Sequence, residues 1–153
     1  MRVTEILRGA AGGAAGTTAL NATTYLDMVL RGRPASSTPE ATVEKVSDVT
    51  GVEVPGDREA RQGRVSALGA LTGIGAGVGV GALLGVLRGA GLRAGPVTGP
   101  LLAGALAMVA GNAPMAGLGV SNPRKWAAKD WAADVVPRLA YGAVTWFTLD
   151  QRG

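Results

Sequence analysis

The stretch Val65 to Leu87, VSALGALTGIGAGVGVGALLGVL, runs 23 residues without a charge between Arg64 and Arg88. At about 1.5 Å of rise per residue, some 20 residues of this kind cross the hydrocarbon core of a bilayer as a helix. Within it Gly69, Gly73, Gly77, Gly81 and Gly85 recur at every fourth position. Residues four apart share a helix face, so the row strips Cβ atoms from that face and lets a second backbone come unusually close. Internal packing of a small bundle is the plainer use of such a face. A homo-oligomer in which this span meets its own copy is the sharper one.

Composition points the same way. Hydrophobic residues make up 47% of the 153 and charged residues only 17%, against about 25% in a typical soluble domain. With 25 Gly and 6 aromatics, the apolar content is Ala, Val, Leu and Gly, which suits tight membrane helices better than a soluble core. The length is that of one domain. Cys and His are both absent, which excludes disulfides, thiolate chemistry, imidazole bases and the common zinc ligand sets. The net charge of +4 is spread over Arg residues at the ends of apolar stretches, without the clustered basic face and stacking aromatics that nucleic acid requires.

The expected fold is therefore all-α, an integral membrane bundle of four transmembrane helices with short interfacial helices. The spans are expected at about 6–30, 65–87, 97–120 and 131–149, with an aqueous loop at 31–64. The first is the weakest, being diluted by Arg8, Thr17, Thr18, Asn21, Thr23, Thr24 and Asp27. A secretory signal peptide is its alternative, disfavoured because Glu5 and Arg8 interrupt the pattern and no A-x-A site follows. The fourth is bounded by Trp131, Trp146 and Phe147, as an aromatic belt would be. In the loop, Thr38-Pro39-Glu40 predicts a helix start with Thr38 as N-cap, running to about Val49 with Val43, Val46 and Val49 as an apolar stripe. Asp57 is expected to cap the second span, Gly89–Gly95 to form a tight hairpin, Asn122-Pro123 to open a short interfacial helix, and Asp130 to cap the last span. Four spans put both termini on one side. The loop side then carries more Lys and Arg than the terminal side with Arg2, Arg8, Arg88, Arg93 and Arg152, which favours the loop side as cytoplasmic.

Polar residues coincide in depth. Counted inward from the loop side at ~1.5 Å per residue, Asn21, Thr72, Asn112 and Arg138 all fall roughly 10–13 Å deep, on four different spans. Asp27 and Asp134 lie shallower, and Asp134 stands four residues before Arg138, the favoured order for a helical ion pair. A charge at membrane depth is expensive and by default a candidate functional site. The structural alternative is that Arg138 pairs with Asp134 or Asp27 while Asn and Thr stitch helices together. No nucleophile–base arrangement, metal-ligand cluster or nucleotide motif is visible, so no catalytic residue, cofactor or metal is assigned.

Two function classes follow. One is a scaffold or accessory subunit whose glycine faces pack against itself or a larger membrane complex. The other is a minimal transporter or channel for protons, ions or a small anionic solute, using the polar layer around Arg138.

From Gly99 onward the run GPLLAGALA (Gly99–Ala107), followed by PMAGLG (Pro114–Gly119), resembles the YagU-like family of small bacterial inner-membrane proteins. The family shows a similar GLLAGALA stretch, a PLMGL-type segment, and then a Trp, an acid and a His-Leu pair, here Trp131, Asp134 and Arg138-Leu139. The resemblance covers the C-terminal third and implies a multi-pass bacterial inner-membrane protein, with a link to envelope or acid homeostasis. Arg138 stands where the family has His, so a His-based proton relay does not carry over.

Overall fold

In the computed structural model, residues 3–150 are described. Five α-helices make up the described residues: α1 (Val3–Arg31), α2 (Thr38–Thr50), α3 (Arg58–Gly89), α4 (Thr98–Gly117) and α5 (Ala128–Asp150). A single 3-10 turn, Pro123–Lys125, precedes α5, and no strand occurs among the described residues. Arg2 and Arg152, counted above on the terminal side, lie outside those residues.

Two helices, α3 and α4, are long and apolar enough to cross a membrane. Among the described residues there are thus two such helices and not the expected four. α1 carries Glu5, Arg8, Asp27 and Arg31 as well as its Thr and Asn residues, and α5 carries Asp130, Asp134, Arg138 and Asp150. Both are long, but their polar content leaves them less apolar than that.

The four long helices run up and down in a ring, α3–α1–α5–α4, closed by contacts between α3 and α4. Glycines set the spacing. Gly9 and Gly13 of α1 lie against Gly77, Gly81 and Gly85 of α3; a Cβ on Gly13 would stand 2.5 Å from the Gly77 carbonyl oxygen and 3.0 Å from the Gly81 Cα. Such distances leave no room for any side chain, so the two backbones are in direct contact. On the adjoining face of α1, Gly12 and Gly16 face Thr145, Tyr141 and Leu149 of α5. On the far side of α5, Gly142 and Gly104 bring α4 in equally close, and Gly99 makes room for the indole of Trp146. The core is accordingly small: Val80, Leu84, Ala103, Ala107, Tyr141, Trp146 and Leu149.

Local expectations fare unevenly. Asp57 caps α3, its carboxylate accepting from the Ala60 N–H at 2.9 Å, and Asn122 caps the 3-10 turn by accepting from the Arg124 N–H at 3.1 Å. At α2 the cap position is Ser37 rather than Thr38, with Pro39 still in the first turn. The Thr38 N–H is taken by the Ser36 hydroxyl, which satisfies that donor one residue early. Asp130 sits inside α5 and reaches back to the Ala127 N–H at 3.0 Å, closing the turn before the helix rather than capping from outside it. The chain reverses after α3 through Gly91, whose φ of +104° is open to glycine and strained for other residues.

α2 docks antiparallel on the first turns of α3. Pro39 sits on Gly69, the Ser66 hydroxyl donates to Glu40 at 3.0 Å, and the Arg61 guanidinium grips Glu44 with two hydrogen bonds. The hydrogen bonds from Arg61 hold the Glu44 carboxyl below its ordinary value of 4.5. A depressed acid stabilises the docked state at neutral pH and loses that contribution as pH falls through its folded value. Below about pH 4.5 the α2–α3 contact is therefore expected to loosen, seen as faster amide exchange across Thr38–Thr50, and Glu44→Gln should remove that acid step. A second outcome tests the glycine contact. Gly81→Leu should destabilise the bundle by roughly 3 kcal/mol or more, because no rearrangement short of separating α1 and α3 makes space. Gly73→Ala, where nothing lies within 4 Å, should leave the denaturation midpoint unchanged or slightly raised.

Candidate functional site

Three of the six polar residues singled out in the sequence meet on the loop side of the α4–α5 seam. Asp134 and Arg138, one turn apart on α5, form an ion pair at 2.9 Å, with side chains 15% and 14% exposed. Asn112 of α4 completes a closed ring. Its amide nitrogen donates to the second Asp134 oxygen at 2.8 Å, and its carbonyl accepts from the Arg138 Nη2 at 3.1 Å. Every heteroatom of Asn112 and both oxygens of Asp134 are thus engaged by this ring.

The backbone prepares the site. Gly104 packs against the Arg138 carbonyl, drawing α4 close to α5 at the root of the side chain. Seven residues along α4, Gly111 leaves the hollow filled by the guanidinium: a Cβ there would stand 2.6 Å from Nη2. The arginine stem therefore runs along about two turns of α4 toward the loop side, carrying its charge away from the middle of the bundle. The Arg138 Nε is buried with no protein partner.

The other three residues are elsewhere. Asp27 pairs with Arg31 at 2.9 Å and with Arg33 at 2.5 Å, closing the C-terminal end of α1 instead of reaching Arg138. Thr72 is exposed and its hydroxyl donates to the Leu68 carbonyl of its own helix. It lies ~100° around α3 from Gly73 and more from Gly77, so it faces away from α1. Asn21 is half-buried on α1 and is not a member of the ring. Asn21 and Thr72 share the depth of Asn112 and Arg138, and Asp27 lies nearer the same face; direction around each helix is not shared.

The glycine row divides likewise. Gly77, Gly81 and Gly85 are spent on α1, Gly69 on Pro39 of α2, and Gly73 touches nothing.

Sequence reasoning missed Tyr141, fully buried, whose hydroxyl donates to the Gly77 carbonyl at 2.6 Å. It ties α5 to α3 across the groove that the α1 glycines create. The only signal was a lone Tyr one turn after Arg138, too common a pattern to single out. Among the described residues no group of three acidic side chains is placed to hold a metal ion. Comparison with family models, with curated proteins and with solved structures found no match.

The ring's energetics can be tested by double substitution. Removing one member leaves a poorly solvated charge, at a cost of about 3 kcal/mol, whereas replacing both charges by apolar groups of similar size is close to neutral. Asp134→Leu should therefore lower stability more than Asp134→Leu combined with Arg138→Met, as measured by denaturant titration of helicity in detergent.

Proposed function

We propose that the chain is a small multi-span protein of the bacterial inner membrane, with α1, α3, α4 and α5 all crossing the bilayer. In this reading it acts as a glycine-packed scaffold or accessory subunit of a membrane assembly. The observation that carries the membrane part is the inverted distribution of its side chains. The interior is built mainly from Gly, Ala, Thr and two ring-bearing residues with only a few aliphatic groups such as Val80, Leu84 and Leu149, while most large aliphatic groups point outward on the long helices. Leu7, Leu26 and Val29 of α1, Leu71 and Ile74 of α3, Leu101 and Val109 of α4, and Val136 and Leu139 of α5 are all exposed.

Only 22% of the apolar window of α3 and 17% of that of α4 are buried within the protein, which is the reverse of a soluble core helix. The accessible surface of 9256 Å² also exceeds the roughly 7,100 Å² of a compact water-soluble chain of this mass. The polar groups of α1 and α5 that dilute their hydropathy are turned inward or bonded locally: Thr17 and Thr23 donate to carbonyls one turn back, and Asp134 and Arg138 close on Asn112. Lipid would meet chiefly hydrocarbon on these helices too.

The scaffold part is favoured over the transporter reading by the closed ring. Apart from the Arg138 Nε, its polar side-chain atoms are used within the ring that holds α4 to α5, which is structural stitching of the kind found between membrane helices. The resemblance of the C-terminal third to the YagU-like family extends the proposal to a role in envelope or acid homeostasis.

Two measurements test this. The chain has no cysteine, so Lys45→Cys, Lys125→Cys and Arg93→Cys each introduce a unique label site. Four spans require the first two to react from one side of sealed vesicles and the third from the other; labelling of all three from one side refutes the topology. In proteoliposomes loaded with a pH dye, proton or anion flux should match that of empty liposomes. Flux above that baseline, abolished by Arg138→Met and Asp134→Asn, would establish the transporter instead.

A further inference from the structure

α2 packs on α3 by its polar edge. Glu40 and Glu44 face Ser66 and Arg61, and Pro39 sits on Gly69. Val43 and Val46 consequently turn away from that contact. With Val52, Val54, Leu68 and Leu71 they line an open groove of about 630 Å³ between α2, the following turn and α3. Val46 and Leu68 are each 44% exposed and Leu71 61%, so nothing among the described residues covers it. Leu68 and Leu71 also belong to the apolar stretch of α3, and the groove opens onto that face.

The inner surface of the groove is almost wholly apolar; two exposed residues of opposite sign, Arg64 and Glu53, border it with their charged ends outside that surface, and neither is in any of the ion pairs among the described residues. Arg64 is held in place. Its Nη1 donates to the Pro55 carbonyl, and Gly56, at φ +118°, leaves the space: a Cβ there would stand 2.5 Å from Nη1. One of the five guanidinium donors is used by that bond, and the others are available to an anionic oxygen.

We propose that this groove seats a zwitterionic phospholipid, with one acyl chain along the valines and leucines, its phosphate diester on Arg64 and its ammonium toward Glu53. The apolar trough and the pair of opposite charges match the three parts of such a lipid. Size argues against a partner helix. One turn of a ~10 Å wide helix fills roughly 420 Å³, so the groove holds about one and a half turns. Helix recognition draws on anchors spread over two turns or more. The inference rests on the membrane reading above.

The test uses the full chain in nanodiscs of equal phosphatidylethanolamine and phosphatidylglycerol, lipids that share chains and phosphate and differ in the ammonium. Lipid retained on the released protein is read by native mass spectrometry. One phosphatidylethanolamine should be retained over phosphatidylglycerol by at least about fivefold, a difference of roughly 1 kcal/mol. Val46→Trp, which fills the groove from an exposed position, should abolish retention with helicity unchanged. Arg64→Gln should lower it several-fold, and Glu53→Gln should erase the preference between the two lipids. Equal retention of both lipids by the unaltered protein overturns the inference, as does undiminished retention in Val46→Trp, or a second copy of the chain retained in place of lipid. In each of those cases a protein still recovered in the membrane fraction leaves the membrane reading standing. Recovery in the aqueous fraction overturns both.

Discussion

The bundle depends on the direct contact of the α1 and α3 backbones. Gly9 and Gly13 on one helix and Gly81 and Gly85 on the other approach so closely that carbonyl oxygens occupy the places of absent Cβ atoms. α1 carries a second pair, Gly12 and Gly16, turned toward α5, so it is the thin central helix to which two others are fitted. Only because α1 is this narrow can Tyr141 reach past it to the Gly77 carbonyl. A bulkier α1 would separate α3 from α5 and leave that hydroxyl buried without a partner, a penalty comparable to a lost hydrogen bond.

Close approach has a consequence for what holds the helices together. With few large side chains inside, little apolar area is withdrawn from water on assembly, and cohesion comes from dense van der Waals contact between backbones. Most of the branched side chains that would build a soluble core are instead on the outer surface, as at Leu26, Val29, Leu71 and Leu139. One buried hydroxyl fits the same scheme. Thr17 satisfies itself on the Gly13 carbonyl, adding a polar group to the interior without demanding a partner from another helix.

The ring of Asn112, Asp134 and Arg138 answers an electrostatic problem, two charges largely withdrawn from the surface. Its charges cancel within a single turn of α5, its hydrogen bonds run to α4, and Gly111 supplies the hollow for the guanidinium. A stretch of glycine and alanine that looks merely permissive is here specific, since the position of one missing Cβ decides where the charge can rest. The Asp27 cluster with Arg31 and Arg33 does comparable work at the end of α1, holding the turn into α2.

Much of this was legible in the chain. Uncharged runs, the Asp57 cap and the Pro39 start locate α2, α3 and α4, because helix boundaries are written in local chemistry. The i, i+4 pair of Asp134 and Arg138 and its shared depth with Asn112 were visible for the same reason, since rise per residue converts position into height. Height is a single coordinate. Thr72 and Asp27 had suitable heights and still lie outside the ring, because rotation about each helix axis is settled by which faces pack. The glycine row shows the same division. Its spacing determined that a backbone would come close to α3, but which glycines were used depended on where α1 and α2 arrived: three met α1, Gly69 met Pro39, and Gly73 met nothing. Sequence alone thus determined the helices, their lengths and the small-residue faces, which follow from bonding between near neighbours. Tertiary structure decided the partners of those faces, because contact between distant segments depends on the relative rotation and offset of whole helices.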